Sequence, residues 1–381
     1  MYKIRAITLH VNFNKKFAKL EEVFEYIDKY LDRLELISRE LGKDREVLSK
    51  RLVLPSLGEL KARVGDFKFS EIEALEDYLK QRVDYYDVPI ENLGYPNLER
   101  EIPRVFSNTN NLFLSIGLTR DDLNEESLTR AVTVLKDISR EAGWISAARF
   151  AFSIGPQPLT PYFPVTSSPQ TGYTVSLLYI NDLLTQLFSK SDDSLAQLKK
   201  RIRIIYEELS RKALEASSRV GLVFLGIDLS ISPWLEESIV PLIEAFKRNA
   251  TTIGSPGTLH ILYEINGILW EFSKKTGVTG FNEVMLPLAE DEGLKKRVRE
   301  GDLRFKDFLI YCFVCAAGLD MIPIPEWTDN RLLMHLLKDL LSIYAVKKRT
   351  LGVRIIPVGV EAGGEVDLGI FGKTPVLDIL K

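Results

Sequence analysis

A thiol and two carboxylates stand at positions 315, 320 and 326 of an otherwise apolar, proline-punctuated segment, Cys315-Ala316-Ala317-Gly318-Leu319-Asp320-Met321-Ile322-Pro323-Ile324-Pro325-Glu326. Carboxylates in such surroundings must be paired, metal-bound or shifted in acidity, because desolvating an unpartnered one costs several kcal/mol. A further carboxylate, Asp228, lies in Gly226-Ile227-Asp228-Leu229-Ser230-Ile231-Ser232-Pro233, which reads as the end of a strand entering a helix. Strand carboxyl ends are where α/β folds collect functional groups. Asp228 and Asp320 could hold a divalent cation through oxygen, the one cofactor this donor set suggests, and with Glu326 they could act as general acid and base. Each has a structural alternative: Asp228 as a helix cap, Asp320 as a turn residue, Glu326 as the partner of an arginine. Cys315 is a nucleophile only if a base or positive field lowers its pKa; buried among alanines it is inert.

Three segments supply candidate substrate contacts. Ser167 and Ser168, in a Pro/Ser/Thr-rich stretch, can hydrogen-bond polar or anionic groups without adding charge. Asn108 and Asn110 offer amides ahead of a strand, with an Asx-rich turn as the alternative. Glu283 is isolated among mostly apolar neighbours. Glu290-Asp291-Glu292-Gly293 suits the positive end of a helix better than a metal. His10, His260 and His335 are too scattered for a zinc motif or a Ser-His pair. Cys312 and Cys315 form one C-x-x-C without a second ligand pair, and Gly363-Gly364 lacks the lysine and helix of a phosphate loop.

These groups need a scaffold, and the pattern supplies one. Short β-branched segments at 1–10, 51–54, 112–116, 149–152, 174–179, 222–229 and 353–358 alternate with helical periodicity at 16–41, 70–82, 121–142, 193–217, 234–249, 258–274, 304–317 and 329–347. Wound βα units follow. The Pro/Ser/Thr-rich loop at 155–173 is long enough to be a lid or binding segment. With 381 residues, 45% hydrophobic and 27% charged, the chain can build one large α/β barrel or two ordinary domains. A net charge of −3 gives no attraction to nucleic acid or an anionic membrane. No signal-peptide pattern opens the chain and no apolar run spans a bilayer, so a cytoplasmic location is expected, with a homodimer as the base-rate assembly. Scarce glutamine beside abundant Lys, Arg and Glu is a bias shared with thermophiles.

Motifs in order along the chain carry a family resemblance: Phe224-Leu225-Gly226-Ile227-Asp228-Leu229-Ser230-Ile231-Ser232-Pro233, Pro287-Leu288-Ala289-Glu290-Asp291-Glu292-Gly293, Gly318-Leu319-Asp320-Met321-Ile322 with Ile324-Pro325-Glu326, and Val353 through Gly372. The chain resembles domain of unknown function family 711. The resemblance implies a single α/β barrel over 1–381, a large (β/α) barrel of the pyruvate formate-lyase-like type, with Asp228, Cys315 and Asp320 on matching positions. It supplies no reaction. Histidines expected near Pro256 and Ser168 are absent, and the glycine segment 363–369 lacks the Arg-Val-x-Gly-aromatic signature of glycyl-radical chemistry. The expected function is therefore a non-radical hydrolase or lyase acting on a small polar metabolite through carboxylate or metal chemistry. The competing reading is a non-catalytic small-molecule sensor or scaffold.

Overall fold

The computed structural model describes residues 1–187, 194–247, 251–315 and 318–381. Nine strands form one mixed, mostly parallel sheet: β1 (Lys3–His10), β2 (Lys50–Val53), β3 (Tyr85–Ile90), β4 (Leu112–Leu118), β5 (Phe150–Ile154), β6 (Gly172–Leu178), β7 (Phe224–Asp228), β8 (Leu319–Pro325) and β9 (Leu351–Val358). Their spatial order is β7-β6-β1-β2-β3-β4-β5-β9-β8. Strands β1 to β5 run parallel in sequence order. On either flank the direction reverses, β6 against β1 and β9 against β5, and each reversing strand carries a parallel partner, β7 and β8.

Strands covered on both faces should be apolar throughout, and β6, β8 and β9 are buried at every position. The helices that cover them show the complementary stripe. In Leu20–Gly42 the buried residues Val23, Tyr26, Ile27, Leu31, Leu34, Ile37 and Leu41 recur at three- and four-residue spacing, the geometry of one helix face.

Wound α/β organisation is as expected, whereas a closed barrel is not seen: among the described residues no ladder joins β7 to β8. Isolated parallel bridges, Ile227 to Val278 and Ile231 to Val284, lay a further extended segment beside β7. Two strands of this sheet went unread in the sequence, β3 and β8, whose prolines Pro89, Pro323 and Pro325 cannot donate to a ladder. β8 tolerates Pro323 and Pro325 at the sheet edge. The helix expected over 304–317 closes at Tyr311, and the one over 234–249 spans Val240–Phe246. Asn108 and Asn110 stand ahead of β4 as expected, with Asn108 capping the helix Leu98–Ser107 at its C-terminus.

The long loop lies across the strands and does not hang free in solvent. Gln157 Nε2 donates to Ser115 Oγ (2.9 Å), Thr8 Oγ1 donates to the Pro161 carbonyl (3.3 Å), and His10 Nδ1 meets the Ser167 carbonyl at 2.9 Å. Buried backbone must find partners, and β1 provides them for the carbonyls of Pro161 and Ser167. Among the described residues no helix is long and apolar enough to cross a membrane.

Candidate active site

Three β-bulges decide which side chains leave the regular pleat. In the β1–β6 ladder the register jumps between Ile4 and Ala6, leaving Arg5 without an opposite residue. In β8–β9 it jumps between Asp320 and Ile322, across Met321 at φ 55°. A third shift separates Tyr173 and Thr174 of β6. Bulges re-aim neighbouring side chains, and Arg5 and Asp320 both face a cavity of about 550 Å³, within the usual size for a small-molecule site.

Charge in this cavity is concentrated on arginine: Arg5, Arg51, Arg149 and Arg354 face it with Glu290 and Asp320. Arg354 on β9 bridges the two carboxylates, Nε to Asp320 Oδ1 at 2.6 Å and Nη2 to Glu290 Oε1 at 2.8 Å. Arg5 Nη2 grips the second oxygen of Glu290 at 2.6 Å, while Nη1 donates to Ser232 Oγ and the Pro233 carbonyl. All four members of this Arg5–Glu290–Arg354–Asp320 chain are buried. Burial raises the pKa of the Asp320 carboxyl in spite of Arg354. For Glu290, burial opposes ionisation, but the two guanidiniums Arg354 and Arg5 outweigh it and hold its pKa below the usual range.

Arg51 on β2 differs. Its Nε donates to Ser49 Oγ (3.0 Å) and Nη1 to the Pro161 carbonyl (3.3 Å), and among the described residues no carboxylate pairs with it. Desolvation, with Arg5 nearby, pushes its pKa down to about 10, which still leaves it cationic at neutral pH. Ser49 Oγ also donates to the Arg5 carbonyl, tying the two arginine-bearing strands together. Arg149 is occupied by the carbonyls of Leu112 and Thr109 and by Ser146 Oγ. Tyr85, Phe113, Phe163, Trp234 and Phe281 supply much of the remaining wall.

Of the nine residues singled out from sequence, Asp320 and Asn110 line this cavity. Asp228 closes β7, fully buried, with five donors on its carboxylate. Oδ2 accepts from Thr160 Oγ1 (2.7 Å) and the Phe281 amide (2.8 Å); Oδ1 accepts from the Ser230 amide (3.0 Å), Ser230 Oγ (2.6 Å) and the Asn282 amide (3.1 Å). A Cβ on Gly280, at φ 83°, would stand 2.0 Å from Oδ2, so glycine is required there. Asp228 thus pins β7 to the loop at 280–282 and to the 155–173 loop. Asp228 and Asp320 are not gathered with other ligands: among the described residues no group of three or more His, Cys, Asp or Glu is placed to hold a metal ion.

Glu283 is buried against Lys347 Nζ (2.7 Å), Arg349 Nε (2.6 Å) and Trp270 Nε1 (3.0 Å). Glu326 is half-buried just beyond β8, where its amide donates to the Val358 carbonyl. Cys315 is buried, and desolvation pushes its thiol up to about 12, which leaves it protonated at neutral pH. Ser168 Oγ donates to the Val11 carbonyl, Ser167 offers its carbonyl to His10, and Asn108 Nδ2 turns back to the Arg104 carbonyl. Asp291 caps the helix Glu292–Arg299 as expected, accepting from the Leu294 amide (3.1 Å) and the Ile239 amide (2.9 Å). Its neighbour Glu290, read in the sequence as part of that cap, turns into the cavity. The arginines were missed, since alternating Arg and apolar residues on a strand read as an exposed face; Arg5 and Arg51 within β-branched runs were the available signal.

Comparison with known proteins places the chain. Residues 1–368 match the family model described as Uncharacterised ACR (DUF711). A UPF0210 protein of Halothermothrix orenii is 28% identical over 311 residues, covering 76% of this chain and 68% of the relative. A second, from Pyrobaculum aerophilum, is 25% identical over 419 residues, covering 99% and 90%. One from Streptococcus suis reaches 32% identity over 173 residues, 43% of this chain and 37% of the relative. The chain therefore belongs to the DUF711 family, whose relatives here carry the name UPF0210 protein.

Proposed function

We propose that this chain is an enzyme acting on a small polar metabolite held in the arginine-lined cavity, by acid/base chemistry at Asp320 and Glu290. The observation that carries the reading is the pair of buried carboxylates sharing the Arg354 guanidinium, one raised and the other lowered in pKa. Carboxylates pushed apart in this way divide the roles of acid and base. Asp320 then donates a proton to the departing group and Glu290 accepts one, while Arg354 holds both in register. This reaction type, lyase or hydrolase, uses no radical and no thiolate. The test is a metabolite panel read first by thermal shift and then by turnover, on the wild type, Asp320→Asn and Glu290→Gln. Stabilisation with turnover that either substitution abolishes supports it; turnover unchanged in both removes it.

A non-catalytic sensor is the second reading, favoured by the saturated hydrogen bonding of Asp228 and Glu283 and the buried thiol of Cys315. It predicts ligand stabilisation without turnover. We also propose that the sheet forms the wall of a pyruvate formate-lyase-like barrel. The reversed parallel pairs on both flanks and the bridges at 278 and 284 support this. An experimental structure with open water between the 278–290 segment and β8 would contradict it.

A further inference from the structure

Within the cavity the charges do not balance: four guanidiniums face two carboxylates, and the imbalance is local. Arg354 and one edge of Arg5 are consumed by Glu290 and Asp320. Arg149 is bonded to carbonyls and a hydroxyl. What remains, among the described residues, is Arg5 Nε, buried with no hydrogen-bond partner, and Arg51, with no carboxylate paired to it. Buried polar groups are almost always satisfied, and an orphan N–H on Arg5, a residue only 6% exposed that shares the cavity wall with the Arg51 guanidinium, is a donor in want of an oxyanion. Desolvation first, and then the nearby Arg5 cation, disfavour the charge on Arg51, an arrangement that an anion relieves.

Both guanidiniums are held rigid before any ligand arrives. Arg5 lies over Trp234 at 4.9 Å and Tyr162 at 5.8 Å, and Arg51 over Phe163 at 5.3 Å and Tyr85 at 5.8 Å. Ser49 links their strands. Planar donors fixed in this way suit the multiple oxygens of a phosphoryl group.

We propose that the Arg5–Arg51 pair is a dianion site, and that the cavity's ligand is a phosphate monoester whose organic part lies against the aromatic wall. A monoester carries about −1.5 to −2 charge at pH 7, which suits the two guanidiniums, Arg5 and Arg51, whether or not Asp320 holds its proton. A single carboxylate would leave one guanidinium uncompensated. The aromatic rings and Ile145 then cover an apolar or aromatic body, and the cavity of about 550 Å³ has room for both parts. Asp320 and Glu290 lie beside the headgroup, so this inference rests on the acid/base reading above only for which bond reacts.

The test uses phenyl phosphate as probe, against inorganic phosphate, benzoate and benzyl alcohol, by calorimetry and thermal shift on the full chain. Phenyl phosphate should bind tightest, inorganic phosphate more weakly, and benzyl alcohol not at all. Arg51→Met should weaken phenyl phosphate about ten- to a hundredfold, the usual worth of a charged hydrogen bond. Arg51→Lys, which keeps the charge, should weaken it less. If neither variant folds, the wild-type ranking of the four probes decides alone. Benzoate or benzyl alcohol binding as well as phenyl phosphate, or full affinity in Arg51→Met, overturns the proposal. The two readings fail separately. Turnover of an uncharged metabolite that depends on Asp320 sinks the dianion site alone. Phosphate-ester binding with turnover indifferent to Asp320 and Glu290 sinks the acid/base reading alone.

Discussion

Replacing Asp228 with Asn tests whether that residue organises the fold or performs chemistry. The amide must put Nδ2 where one oxygen stood. At the Oδ1 position it would face two backbone amides, of Ser230 and Asn282; at Oδ2 it faces one, of Phe281, and Thr160 Oγ1, which can rotate to accept. The second orientation is the cheaper and leaves the Phe281 N–H without an acceptor. An orphaned buried donor costs about 1–3 kcal/mol, and charge-assisted bonds lost to a neutral amide add to it, for a total of about 3 kcal/mol. Unfolding entropy of about 2.1 cal/mol/K per residue over 381 residues gives about 0.8 kcal/mol/K, so Tm should fall by about 4 °C. Differential scanning calorimetry reads this directly, and phenyl phosphate affinity should stay at the wild-type value. An unchanged Tm would refute the hydrogen-bond account. A divalent cation that stabilises the wild type and not Asp228→Asn would return the residue to a metal role.

Three further outcomes follow from the same physics. Cys312 and Cys315, both buried with thiols raised in pKa, should resist iodoacetamide at pH 8 in the folded protein and both react in denaturant; mass spectrometry counts the adducts, and rapid labelling of Cys315 would revive a nucleophilic role. His10, whose imidazole burial pushes down to about 3 from 6.5, stays neutral in the fold while the unfolded chain takes up its proton. Its stabilising contribution is therefore complete above pH 6.5 and is lost as pH falls toward 3, at a slope of up to about 1.4 kcal/mol per pH unit. Denaturant unfolding of the wild type and His10→Gln across that window should show the flatter dependence in the variant. Glu283→Ala should cost about 3–5 kcal/mol by leaving Lys347 buried without its partner, and Glu283→Met with Lys347→Met should recover part of that loss. Equal stability of the single and double variants would contradict a buried pair.

The wound α/β scaffold was legible because its signal is periodic. The stripe from Val23 to Leu41 and the β-branched run of β1 announce a helix and a strand whatever surrounds them. β3 and β8 were hidden by Pro89, Pro323 and Pro325, which are tolerated through position in the sheet, a tertiary property. The site was legible only in part for a related reason. Sequence marks Asp320, Asp228 and Glu283 alike, as carboxylates in apolar company. Their fates diverge through contacts distant in sequence: Arg354 for one, Thr160 and Phe281 for another, Lys347 and Arg349 for the third. Bulges at Arg5 and next to Asp320 set which residues face the cavity, and a one-residue change of register leaves no mark in composition or spacing.

A crystal structure of the protein soaked with phenyl phosphate tests the central claim most directly. Phosphoryl density between Arg5 Nε and the Arg51 guanidinium, with the ring against Phe163 or Trp234 and the ester oxygen within reach of Asp320, is the expected result. Phosphoryl density elsewhere on the surface, with the cavity holding only water, would contradict it.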